Sequence, residues 1–180
     1  ATPTNDDPCN AIQLPVVTAT CQYGFYTTNG ATTTVGPPTP SACVGGSGLQ
    51  QGGFQAGTQD VWFSITVPAS GNVDVTCFPN GGAGYITDAA MALYSGSCGS
   101  LTQIACSDDH NYPGSSNDLL PFVSASGLAV GSTVYLRFWD FGLGAGNFGI
   151  CASTVTNDDC ANALYICDIN GYSASTSASY

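Results

Sequence analysis

Between residues 59 and 155 the chain alternates apolar and polar positions in short runs, and the period of two is that of half-buried strands. In residues 60–68 (DVWFSITVP) it puts Val61, Phe63, Ile65 and Val67 on one face, and Pro68 ends the run. Ala69-Ser70-Gly71 reads as a turn and residues 72–78 (NVDVTCF) as a returning strand, so the two segments are expected to form a hairpin. Residues 87–95 and 101–107 read as a second pair, joined through Gly96-Ser97-Cys98-Gly99. A short strand is expected over 119–124. Residues 133–140 (TVYLRFWD) alternate again with Val134, Leu136 and Phe138 inward, and residues 148–155 follow the glycine-rich 142–146 to close the sheet. Short strands punctuated by Gly, Pro and Ser predict an all-β fold, a two-sheet β-sandwich of jelly-roll type.

Two stretches break this pattern. Residues 28–58 are rich in Thr, Gly, Pro and Gln with few large apolar side chains, and read as a long surface insertion. The second is an internal echo: residues 2–12 (TPTNDDPCNAI) return as residues 154–164 (TVTNDDCANAL), and Cys21-Gln22-Tyr23-Gly24-Phe25 has a shortened counterpart in residues 167–172 (CDINGY). Tandem repetition explains a shared frame of this kind. The expected organisation is therefore a sandwich module over 1–155 and, over 156–180, a partial second repeat or strand-exchange tail that must dock on its own module, on a further repeat or on a neighbouring chain.

Composition narrows the function classes. Charged residues are 7% of the chain, Lys and Glu are absent, all twelve acids are Asp, and Arg137 is the sole Lys or Arg, giving a formal charge of −11. Nucleic acid and anionic lipid both require clustered cations, so neither is an expected partner. No apolar span of membrane length occurs, which argues against membrane insertion. Crowded carboxylates without cations are compatible with Ca²⁺. No N-x-S/T glycosylation acceptor is present.

Nine cysteines without a CxxC and with a lone His110 point to disulfides rather than zinc, and so to an oxidising, extracellular compartment. Cys98 and Cys106 flank a short excursion between adjacent strands and are expected to pair. Cys9 with Cys21, and Cys160 with Cys167, are expected to pair because they occupy equivalent places in the echo. Cys43, Cys77 and Cys151 remain, an odd number that leaves either one of these pairs wrong or one thiol linked to another chain. Trp62, Tyr135 and Trp139 fall opposite the inward residues of their strands; such rings stack on a glycan, form a protein interface, or cover the second face of a sheet.

The ordered set of Asn-Asp-Asp-(Pro)-Cys, residues 60–64 (DVWFS), residues 93–101 (LYSGSCGSL), residues 105–109 (ACSDD) and residues 131–137 (GSTVYLR) resembles repeat modules of large bacterial extracellular proteins exported by the type IX system. Those modules are similar to the pre-peptidase C-terminal domain, whose relatives include collagen-binding modules. The resemblance covers most of residues 1–155 outside the insertion. It implies a non-catalytic jelly roll and a Ca²⁺ site on Asn5, Asp6 and Asp7 with Asp108, Asp109 and Asp88. The chain departs from collagen-binding members in having no Glu. The competing reading of the same Asn and Asp residues is turn chemistry, their side chains accepting backbone N–H bonds.

His110 between Asp109 and Asn111 is an ordinary place for a solvated imidazole, and no nucleophile elbow accompanies it, so no enzyme activity is expected. The expected function is a structural subunit or repeat of an extracellular filament or adhesin, assembling head to tail with copies of itself. The alternative is an accessory module binding polysaccharide or matrix protein for a secreted enzyme.

Overall fold

The computed structural model describes residues 1–18, 21–44, 51–78, 82–109 and 119–154. His110, Cys160, Cys167 and the expected tail over 156–180 lie outside the described residues. Among the described residues ten strands and one 3-10 turn make up the regular structure: the turn Pro8–Asn10, then β1 (Ile12–Leu14), β2 (Val16–Val17), β3 (Gly24–Thr27), β4 (Asp60–Thr66), β5 (Val73–Cys77), β6 (Ala89–Ser97), β7 (Ser100–Ser107), β8 (Phe122–Ala125), β9 (Thr133–Asp140) and β10 (Asn147–Ser153). One sheet has the order β1-β4-β9-β6-β7. The other runs β2-β10-β5-β8, with β3 also paired to β10. The fold is an all-β sandwich.

Alternation decides which side chains point inward, and here it reads correctly. Val61, Phe63, Ile65 and Val67 meet Val134, Leu136 and Phe138 in the core between the sheets, with Val73, Val75, Ile150 and Ala152 opposite. Phe138 and Phe148 stack across the middle at 3.8 Å. Alternation does not say which sheet a strand joins. The expected hairpin of β4 with β5 is not formed: β4 pairs with β1 and β9, whereas β5 pairs with β8 and β10 in the other sheet. Residues 67–72 carry the chain across the sandwich, and Gly71 turns it at φ 71°. Stacking face to face buries the apolar faces of both strands against each other, which side-by-side pairing does not. The β6–β7 pair does form as a hairpin.

The first strands thread both layers. β1 runs parallel to β4 and β2 runs parallel to β10, so the chain changes sheet at Pro15, a residue with no N–H to leave unpaired.

The insertion is not a free excursion. Its described residues cover the outer face of the first sheet and bury a second apolar cluster containing Phe54, Trp62, Ala90, Ala92, Tyr94, Leu101, Cys106 and Trp139. Trp139 Nε1 donates to Gly52 O at 2.7 Å and Tyr94 Oη to Pro38 O at 3.1 Å. Gly52 takes φ 56° so close to β6 that a Cβ there would lie 2.7 Å from Ala90 Cβ. Inside this layer Arg137 and Asp60 form a buried ion pair, Nε to Oδ2 2.9 Å, with the guanidinium 4.0 Å from the Phe54 ring centroid and 5.0 Å from that of Trp62. Trp62 and Trp139 are fully buried and Tyr135 packs against the same cluster. The two tryptophans therefore offer no surface to a glycan or a partner, because the insertion already occupies their face.

Among the described residues three disulfides pin the N-terminal segment and the insertion: Cys9–Cys98, Cys21–Cys151 and Cys43–Cys106. The expected Cys98–Cys106 and Cys9–Cys21 pairs are corrected by geometry. Cys98 sits in the tight turn after Ser97, which pairs with Ser100, whereas Cys106 lies far along β7 opposite Ala92. Six strand residues span about 20 Å, well outside the roughly 7 Å that a disulfide bridges. Cys9 is instead bonded to Cys98 and Cys21 to Cys151, one at each end of the segment that carries β1 and β2. Cys77 is buried in the core. Three such bridges belong to a non-reducing environment.

Candidate metal centre

The β6–β7 hairpin brings two acidic segments together at its open end. Asp88 immediately precedes β6, and Asp108 and Asp109 immediately follow β7. Carboxylate oxygens of all three lie within 4.8 Å of one another. The position is fixed from two sides. Asp108 N donates to Val44 O at 2.9 Å, where the insertion pairs with the end of β7 next to the Cys43–Cys106 bridge, and Phe141 N donates to Asp88 O at 3.2 Å.

Asp108 is only 1% exposed, and its Oδ1 has no hydrogen-bond partner among the described residues. A buried carboxylate oxygen left this way costs the desolvation of a charge without compensation. Burial, then Asp109 and Asp88, push the Asp108 carboxyl up to about 7 from 3.8. Burial, then Asp109 and Asp140, raise that of Asp88. The chain's one guanidinium is committed to Asp60. Among the described residues the group is three carboxylates, a hard oxygen donor set suited to Ca²⁺ or a similar cation.

The N-terminal half of the expected metal set is engaged in other bonds. Asn5 Nδ2 donates to Trp62 O at 3.0 Å and Trp62 N to Asn5 O at 2.8 Å, a two-way clasp on β4. Asp6 accepts from Thr32 N (2.6 Å) and Thr32 Oγ1 (2.7 Å), tying the N-terminus to the insertion. Asp7 caps the 3-10 turn by accepting from Cys9 N at 2.8 Å. These three residues do turn and strap chemistry, and the structure does not bring Asp6 or Asp7 into the group formed by Asp88, Asp108 and Asp109. Asp140, which sequence reasoning passed over, adds negative potential beside Asp88. Its Oδ1 accepts from Gly142 N and Gly144 N, both at 2.8 Å, and the glycine-rich run after a strand was the available signal for such a turn. Comparison with protein-family models, with curated proteins and with solved structures returned no match.

Proposed function

We propose that the chain is a non-catalytic structural module of an extracellular or cell-surface filament or adhesin, joined to further copies of itself. The observation that carries this reading is how the first residues are built in. Asn5 clasps Trp62, β1 and β2 run along both sheets, and Cys9 and Cys21 anchor the segment at each end. Residues 154–172 repeat the Asn-Asp-Asp, the following Cys and the later Cys with Gly-aromatic. The same side chains are thus available to open a second sandwich, of this polypeptide or of a neighbouring copy. Calcium at Asp88, Asp108 and Asp109 stiffens the hairpin end against which the insertion is pinned.

Negative-stain microscopy and size-exclusion chromatography of the full chain, oxidised and with calcium, test the assembly. Filaments or ladders of oligomers are expected, and removing residues 156–180 is expected to leave folded monomers. A strictly monomeric full chain, or identical polymers from the shortened one, defeats the reading. The calcium reading is tested separately by a thermal melt with and without chelator: an unchanged midpoint removes it.

A further inference from the structure

The rings expected to face a ligand are buried, but a different set lies on the outer face of the second sheet. Tyr23, Phe25, Phe78 and Tyr85 form a continuous edge-to-face row, with centroids 5.2 Å apart for Tyr23–Phe78, 5.3 Å for Phe25–Phe78 and 6.3 Å for Phe25–Tyr85. Phe25 is 54% exposed and its three neighbours are half-buried. The row is seated by design of the strand beneath it. Gly149 of β10 lies under the rings, where a Cβ would come within 2.7 Å of Phe78 Cβ and 2.9 Å of the Phe25 ring, and the Cys21–Cys151 bridge fastens the neighbouring backbone. Thr76 and Asp74 point outward beside the rings from β5, and Ser124 Oγ donates to Asp74 Oδ1 at 2.6 Å.

We propose that this row is a binding platform for a neutral polysaccharide. The sugar's C–H face packs on an aromatic ring, and its hydroxyls find Thr, Ser, Asn and Asp side chains alongside. Charge selects against other occupants. The chain's only Lys or Arg is buried under the insertion on the far face of the opposite sheet, and the formal charge is −11, so acidic glycans, nucleic acid and anionic membranes are repelled. The outward positions of β5 and β10 are Asp74, Thr76, Asn147, Gly149, Cys151 and Ser153, without an aliphatic side chain. Around the rings these positions supply small or polar side chains, with neither Met nor Arg, the side chains enriched with aromatics at protein interfaces. Preformed and held by strand pairing and a disulfide, the platform needs little ordering on binding.

The test is retention of the full oxidised chain on insoluble neutral polysaccharides (cellulose, chitin, xylan and mannan) and by affinity electrophoresis, with wild type, Phe25→Ala and the distant exposed-residue control Val130→Ser. Binding to at least one neutral polysaccharide is expected, weakened about tenfold by Phe25→Ala, untouched by Val130→Ser, and persisting in chelator, which separates it from the calcium reading. It is also expected from the shortened chain lacking residues 156–180, so it does not depend on assembly. No retention on any neutral polysaccharide, retention indifferent to Phe25→Ala, or a loss of self-association in Phe25→Ala without any glycan binding overturns the proposal; the last outcome makes the face an interface between copies.

Discussion

Removing the Asp60 carboxylate tests whether the insertion is a packed third layer or a loose cover. Asp60 Oδ1 accepts from Thr34 N at 2.8 Å, and Oδ2 accepts from Trp62 Nε1 at 3.0 Å and Arg137 Nε at 2.9 Å. Arg137 Nη2 donates to Thr34 O at 2.7 Å, and Nη1 already has no partner among the described residues. Both side chains are essentially inaccessible. In Asp60→Ala the guanidinium stays buried without its counter-charge and Thr34 N and Arg137 Nε lose their acceptor, while Trp62 Nε1 keeps Thr34 Oγ1 at 2.9 Å; the loss costs about 3–5 kcal/mol. Arg137→Met leaves the carboxylate with two N–H donors but no cation and costs a similar amount. Combining Asp60→Asn with Arg137→Met removes both charges, keeps an amide oxygen for Thr34 N while Trp62 Nε1 retains Thr34 Oγ1, and keeps a long side chain between Phe54 and Trp62. The double variant is expected within about 2 kcal/mol of wild type, far from the summed losses of Asp60→Asn and Arg137→Met made singly. Urea unfolding with disulfides intact, followed by tryptophan fluorescence, reads this layer directly, since Trp62 and Trp139 both lie in it. A cost under about 1 kcal/mol for Asp60→Ala, or simple additivity in the double variant, would refute a desolvated charge pair under a closed layer.

Other predictions concern the hairpin end, the bridges and the close approach at Gly52. Because the folded chain holds the Asp108 proton up to about pH 7 against an ordinary 3.8 for an aspartate in the unfolded chain, cation-free stability due to this group is complete below pH 3.8 and is lost as pH rises through 7. Urea midpoints in chelator across that range are expected to fall relative to Asp108→Asn, and parallel curves would remove the claim. With calcium, wild type is expected to melt higher and Asp108→Asn to show no gain; an equal gain in both places the ion elsewhere. Replacing Cys21 and Cys151 together by Ser opens a link of sequence separation 130, for which loop-closure entropy gives about 5 kcal/mol, and a loss under 1 kcal/mol in chemical denaturation would contradict it. Gly52→Ala combines an unfavourable positive φ with contact on Ala90 and is expected to cost about 2 kcal/mol; an unchanged melting temperature would show that the insertion is not seated there.

What the sequence made legible was local. The period of two named the inward residues of β4 and β9 correctly because each strand needs one face in the core whatever its neighbours are. It missed the partner of β5, since inward-facing Val73 and Val75 satisfy either a hairpin or the opposite sheet. The insertion was misjudged for a compositional reason: it brings Phe54 and backbone carbonyls rather than many apolar side chains, and the apolar atoms it covers belong to Trp62, Trp139 and Tyr94 on the sheet. The unbroken Ala89-Ala90-Met91-Ala92-Leu93 run of β6 was the overlooked sign of a strand buried on both faces. Cysteine spacing misled because bridges join places that folding brings together, and the N-terminal crossing at Pro15 was not visible as a pattern. At the acidic centre, Asp88, Asp108 and Asp109 converge through hairpin register, whereas Asn5, Asp6 and Asp7 looked equally suitable until their bonds to Trp62, Thr32 and Cys9 were seen.

The bridge between Cys21 and Cys151 also sets how the molecule answers a pull along its length. Tension applied at Ala1 and Thr154 travels through the first 21 residues, crosses the sulfur link and leaves within three residues of Cys151, so the load bypasses most of the sandwich. The stretch between the two cysteines, which would otherwise pay out about 450 Å of extended polypeptide, cannot lengthen while that bond holds. What can give is the short lead up to Cys21, about 70 Å at full stretch. Such a link behaves as a nearly inextensible tether, and cutting it chemically turns the same chain into a long, yielding one.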